Sequence, residues 1–184
     1  MKFKHLLFFC VASYSGGVFF TPMQTHPSAS ASTKSIGAMS PIFANALATQ
    51  AFCTENDPLL QTSLYNISKS PLPQAHAHND YEHKRPLFDA LAQGFTHIEV
   101  DVHLMGSELY VSHNTPLLLS NEKTLRALYL EPLDLVVRSN GGSVFPSDDL
   151  PLHLMIDIKT EAAATYEALK TYLRPYEHLL TSFK

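Results

Sequence analysis

Residues 96–104 read THIEVDVHL, and their division into two faces decides the fold. Ile98, Val100 and Val102 alternate with Glu99, Asp101 and His103, a period-two pattern in which β-branched residues mark a strand. The apolar set is expected to enter a layer beneath helices, while the other set carries two carboxylates and an imidazole. Residues 152–158, LHLMIDI, form a second buried strand, nearly continuous in apolar residues with Asp157 close to its end.

Between and around these runs, strand and helix signals alternate. Residues 74–78 make a short strand. Pro86 is placed to start a helix, where its missing N–H would be unpaired in any case. Leu87, Ala90 and Leu91 form the apolar face of that helix, and Gly94 ends it as a left-handed cap. Residues 109–112 form a second short strand after the 105–108 connection. Residues 124–130 and 133–137 read as helical or turn-like. Thr160 is placed to cap a helix reaching about Leu173, with Ala164, Leu169 and Leu173 inward and Pro175 beyond its end. Repeated strand–helix units predict an α/β chain built on a parallel sheet.

The 184-residue length allows one domain with a substantial core, and the net charge is −4. There is no basic block and the pI is about 6.2, so no nucleic-acid polymer is expected as partner. Cys10 and Cys53 make neither a CxxC pair nor a metal spacing. Lys2, Lys4 and His5 precede an apolar run at residues 6–20, so residues 1–20 read as the core of an export signal. Glycines and hydroxyl residues break that run below the roughly twenty residues of a stable transmembrane span. The chain is therefore expected to be exported: secreted, periplasmic or held at the cell envelope. Small-residue sites at 28–31 and 44–48 do not fix a cleavage point. Residues 21–70, rich in Ser, Thr, Ala and Pro without periodicity, read as a low-order linker, and residues 71–184 as the folded part.

Two carboxylates side by side on one strand face repel, and a divalent cation relieves that repulsion. Glu99 and Asp101, joined by Asp157, are the candidate ligands, and oxygen donors suit Mg²⁺ or Ca²⁺. Ordinary ion pairing of the two acids is the alternative. His78 and His113 stand at the ends of two different strand segments. An imidazole near its ordinary pKa can take a proton from an attacking hydroxyl or give one to a leaving oxygen. Lys159, two residues past Asp157, places a point charge for phosphate oxygens, or else simply begins a helix. Asn79, next to His78, is a further candidate phosphate contact. His76 shares a face with His78 as an extra ligand. His83, His97 and His153 read as structural or solvated, and His103 is open between the two.

The runs HAHNDYEH, PLFDAL, HIEVDV, ELYVSHN, TLRALYLEPL and LMIDIKT, in this order, resemble the phosphatidylinositol-phospholipase-C-like and glycerophosphodiester phosphodiesterase superfamily. Within it they are most similar to the altered-inheritance-of-mitochondria protein six branch. The resemblance covers residue 71 to the C-terminus. It implies a TIM-barrel phosphoric diester hydrolase with two catalytic histidines, matching His78 and His113, and one divalent cation on Glu99, Asp101 and Asp157. Lys159 matches the lysine that follows the third acid. Asn114 departs from the Asp that commonly follows the second histidine, which weakens the expected orientation of His113.

Such a barrel has eight strands and typically about 250 residues. About three strand–helix units follow residue 71, so the expectation is a truncated barrel that implies a missing C-terminal half. The expected substrate is a small-molecule or lipid phosphodiester, such as a glycerophosphodiester. Two competing readings remain: an amidohydrolase-type metal enzyme using His76 and His78, and a non-catalytic remnant.

Overall fold

The computed structural model describes residues 6–14, 17–22, 67, 70–146 and 150–181. At its centre, strand β4 (Phe95–Met105) runs parallel to β3 (Leu72–Ala77) on one side and to β6 (Leu152–Ile158) on the other. Strand β5 (Glu108–Val111) folds back antiparallel on the last part of β4. The two are joined by a Gly-Ser turn with Gly106 at φ 67°, the conformation that a tight hairpin asks of its first turn residue. The sheet is mixed, with a parallel centre, and is open among the described residues in the order β2 (Gly17–Pro22), β1 (Leu6–Tyr14), β6, β4, β3.

The two strands at one edge of the sheet come from the stretch read above as an export signal. Strand β1 (Leu6–Tyr14) lies parallel to β6, with Leu6 opposite Leu152 and Ala12 opposite Ile158, and β2 (Gly17–Pro22) returns antiparallel on β1. The linker expected over residues 21–70 falls, apart from residues 21, 22, 67 and 70, outside the described residues. No helix among the described residues is long and apolar enough to cross a membrane.

Period-two alternation is realised as read. Ile98, Val100 and Val102 of β4 are fully buried together with Leu152, Leu154 and Ile156 of β6. They join one apolar cluster with α1 (Phe88–Gln93), α2 (Glu131–Ser139) and α3 (Ala162–Leu173), and α3 lies across β1, β4 and β6. A fully buried Leu, Ile or Val contributes about 1.5–3 kcal/mol, so this layer carries the fold.

The helix starts differ from expectation. Helix α1 begins at Phe88 and not at Pro86, because Leu87 adopts φ 66°, ψ −56° and Phe88 N–H donates to the Pro86 carbonyl at 2.8 Å. This is a γ-turn of the rarer, strained hand. Gly94 caps the helix at φ 84°, as read. Helix α3 is capped by Glu161, whose carboxylate accepts from the N–H groups of Ala163 and Ala164, while Thr160 Oγ1 accepts from Leu104 N–H at the end of β4. Ala164 is exposed, and Thr165, Leu169, Tyr172 and Leu173 make the inward face.

Asp80 holds the strained turn. Its carboxylate is fully buried, and Oδ2 accepts from Leu87 N–H at 2.6 Å and from the Tyr129 hydroxyl at 2.9 Å. Asp80→Ala leaves both donors buried without an acceptor, and a loss of about 2–4 kcal/mol in denaturant unfolding is expected. Burial, outweighing the Leu87 bond, raises the Asp80 pKa above its ordinary 3.8. The folded chain then binds this proton more tightly than the unfolded chain, so the contribution is gained as pH falls through the folded pKa and lost as pH rises through it. Wild type should gain stability relative to Asp80→Asn between neutral and mildly acidic pH. An unchanged difference between the two would contradict that assignment.

Candidate active site

Three acids meet where the parallel strands end. Asp101 on β4 and Asp157 on β6 are direct register partners, and Glu99 stands one strand repeat before Asp101 on the same face. All three are buried, and one carboxylate oxygen from each lies within 4.8 Å of the others. Like charges this close raise one another's cost unless a cation joins them. The donor set is all oxygen, which fits Mg²⁺ or Ca²⁺. Asp101 Oδ1 is buried and has no hydrogen-bond partner among the described residues, which supports the fit. Neither His76 nor His78 belongs to a three-ligand group among the described residues, so the geometry does not assemble the amidohydrolase-type alternative.

Lys159 lies against these acids. Its Nζ is 2.7 Å from Asp157 Oδ2 and 3.3 Å from Asp101 Oδ2. Burial alone would lower its pKa, but the bond to Asp157 and the attraction of Asp101 hold it above the usual lysine value. With all three carboxylates ionised, the ammonium leaves two negative charges, the complement of a divalent ion.

Each candidate histidine leans on one acid of the β4 pair. His78 Nε2 is 3.2 Å from Glu99 Oε2, and His113 Nδ1 is 3.1 Å from Asp101 Oδ2. Both rings are otherwise largely exposed. His113 is thus oriented from below by Asp101, and the departure at Asn114 does not remove its anchor. A ring that donates from Nδ1 to a carboxylate keeps Nε2 for proton transfer.

Tyr81 was missed by the sequence reading. Its hydroxyl donates to Asp101 Oδ2 at 2.7 Å, lies 3.0 Å from Asn79 Oδ1 and 3.5 Å from His113 Nδ1. Burial first, then the Asp101 carboxylate, pushes the phenol pKa well up, so it stays a neutral donor. Only the one-turn 3₁₀ helix Asp80–Glu82 brings this residue back over the site, and spacing along the chain gives no such signal. Asn79, at φ 50°, donates its backbone N–H to Glu99 Oε2 at 3.2 Å, while its side chain faces Tyr81. An asparagine tolerates that left-handed conformation better than most residues.

The remaining histidines separate. His76, His97 and His153 are register partners across β3, β4 and β6, and the rings of His97 and His153 stack at 4.2 Å. His76 Nε2 stands 3.9 Å from Glu99 Oε2, farther than His78. His103 is buried, with Nε2 donating to the Ser112 carbonyl at 3.0 Å.

Comparison with known proteins gives one family. The profile described as "AIM6-like phosphodiesterase domain" matches residues 66–183. "Altered inheritance of mitochondria protein 6" of Kluyveromyces lactis is 32% identical over 151 residues, covering 68% of this chain and 36% of the relative. The protein of the same name from Lachancea thermotolerans is 34% identical over 118 residues, 56% of this chain and 28% of the relative. "Altered inheritance of mitochondria protein 6 homolog" of Arthroderma benhamiae is 30% identical over 147 residues, 63% of this chain and 46% of the relative. The chain therefore spans less than half the length of these curated relatives. No solved structure gives a significant match.

The charge balance yields a binding prediction. Lys159→Met removes the internal cation that competes for Asp101 and Asp157, so the thermal upshift produced by Mg²⁺ over EDTA should exceed that of wild type. Glu99→Gln should reduce the same upshift. If Glu99→Gln left it unchanged, the ion would have to sit elsewhere.

Proposed function

The chain belongs to the AIM6-like phosphodiesterase domain family, and from that membership we propose that it is a metal-assisted phosphoric diester hydrolase. Its substrate would be a glycerophosphodiester or another lipid-type phosphodiester. The observation that carries this reading is the pairing of each histidine with one acid of the β4 pair, His78 with Glu99 and His113 with Asp101. That pairing puts two proton-transfer groups beside one cluster of oxygen ligands. In the same reading, β3, β4 and β6 are the first parallel strands of a PLC-like TIM barrel, β1 holds the edge of β6 at which the next barrel strand would pair, and a remaining barrel half that takes that edge supplies the far wall of the pocket. The greater length of the relatives supports this. Export is part of the proposal, supported by Lys2, Lys4 and His5 ahead of the apolar run.

Glu99, Asp101 and Asp157 would hold one Mg²⁺ or Ca²⁺, which when bound supplies positive charge for the phosphoryl oxygens. The chain's own residues do the rest. One of His78 and His113 accepts the proton of the attacking water or neighbouring substrate hydroxyl, and the other protonates the leaving oxygen. Asp101 stabilises the imidazolium that forms on His113, as Glu99 does for His78. Tyr81 keeps Asp101 turned toward His113 by its hydrogen bond. Lys159, held at the acid cluster, offers its ammonium to phosphate, and Asn79 is the neighbouring polar contact.

The test is Mg²⁺-dependent hydrolysis of bis(p-nitrophenyl) phosphate. His78→Ala and His113→Ala should each lose about 100-fold or more in rate, and EDTA should abolish turnover. Full activity in both variants would refute the assignment of the site.

A further inference from the structure

The loop that leaves the site carries three consecutive leucines in water. Leu117, Leu118 and Leu119 are 96%, 88% and 54% exposed, and among the described residues Leu72, at 46%, is the one other large hydrophobic side chain left exposed. The tip is tied at both ends. His113, four residues before Leu117, is held by Asp101, and Ser120 caps the short helix Asn121–Lys123 by accepting from Glu122 N–H. Four residues of chain reach at most about 14 Å and six about 22 Å, so Leu117 stands within about 14 Å of the proton-transfer group and Leu119 within about 22 Å.

We propose that this tip inserts into a lipid surface and seats the site against it. Leu117 and Leu118 lie on a bend and stand in water on nearly every side. A flat protein partner would cover one side of Leu117–Leu118 and leave the other in water. Fluid hydrocarbon surrounds both. From residue 112 to residue 121 there is no Asp, Glu, Lys or Arg, so no fixed charge has to shed its water as the tip enters the acyl boundary. Attraction is therefore apolar and does not need anionic lipid. The phosphodiesterase reading, on which this inference rests for its biological sense, then gains a substrate class: a phosphodiester presented by a lipid layer, delivered beside His113.

The experiment is flotation of the full 184-residue chain with vesicles of phosphatidylcholine, with and without phosphatidylserine. It compares wild type with the combined Leu117→Ser, Leu118→Ser, Leu119→Ser variant. Wild type should float with both compositions, and the variant should partition at least about tenfold more weakly. Its melting curve and its hydrolysis of soluble bis(p-nitrophenyl) phosphate should match wild type. Equal flotation of the two proteins would overturn the proposal, since binding would then reside elsewhere, for example in residues 6–20. Absence of wild-type flotation would also overturn it. So would a loss of self-association in the variant, seen by sedimentation velocity, because the tip would then be a contact between copies. The two readings fail separately. A chain that floats through its leucines but hydrolyses no soluble diester keeps the docking and loses the phosphodiesterase.

Discussion

A carboxylate with no exposure to water, on the central strand of the sheet, sets the terms for everything around it. Asp101 is buried completely, and one of its oxygens receives the Tyr81 hydroxyl, the His113 ring and the Lys159 ammonium. A charge in that position is tolerable only when donors and cations surround it. The turn that carries Tyr81, the loop that carries His113 and the strand end that carries Lys159 all converge there. The strain at Leu87 and the left-handed backbone at Asn79 flank that same turn, and the Asp80 lock holds the strained residue beneath it. Strain of about 1–3 kcal/mol per residue persists only where the surroundings fix it.

The period of two separates stability from chemistry. Facing the helices, β4 and β6 present Ile98, Val100, Val102, Leu152, Leu154 and Ile156, with Thr96 the polar exception, and this layer supplies the hydrophobic free energy. On the opposite face the same strands bear histidines at their starts and acids toward their ends. His97 and His153, stacked below the acids, are held below the usual imidazole pKa, first by burial and then by the charge of a neighbouring ring. They are therefore neutral near pH 7, and neither adds a cation beneath the cluster. Lys159 is the lysine built into the site, which is why its position against Asp157 matters for what else can bind.

Most of the site could be read from the chain because strands translate spacing into facing. Glu99, Asp101 and Asp157 were legible for that reason, as were the buried faces of β4 and β6. What stayed hidden depends on turns. Tyr81 needs one turn of 3₁₀ helix to reach Asp101, and Asp80 needs a partner 49 positions away in Tyr129. The start of α1 was misplaced because Pro86 is a good first helical residue, yet the Asp80 carboxylate captures Leu87 N–H and turns the chain before the helix begins. Thr160 looked like the cap of α3, but its hydroxyl accepts from Leu104 N–H, and Glu161 takes the cap instead. In each case a tertiary contact outbid a sound local preference.

The N-terminal hairpin connects the two ends of the chain to the same chemistry. Strand β1 sets Val11 in register beside Asp157, so the third acid of the cluster lies inside the sheet and not on its rim. The chain separating β1 from β6 is long, but closing a loop costs only about (3/2)RT ln n, so distance in sequence is a weak objection to the pairing. Pairing also satisfies a row of β6 backbone groups that would otherwise form an open edge. Removing β1 would return Asp157 to an edge strand, where water raises the effective dielectric and weakens each charge interaction it makes. The residues that read as an export signal therefore also shield the acid that Lys159 binds most closely. Loss of β1 would change the electrostatics of the site along with the length of the chain.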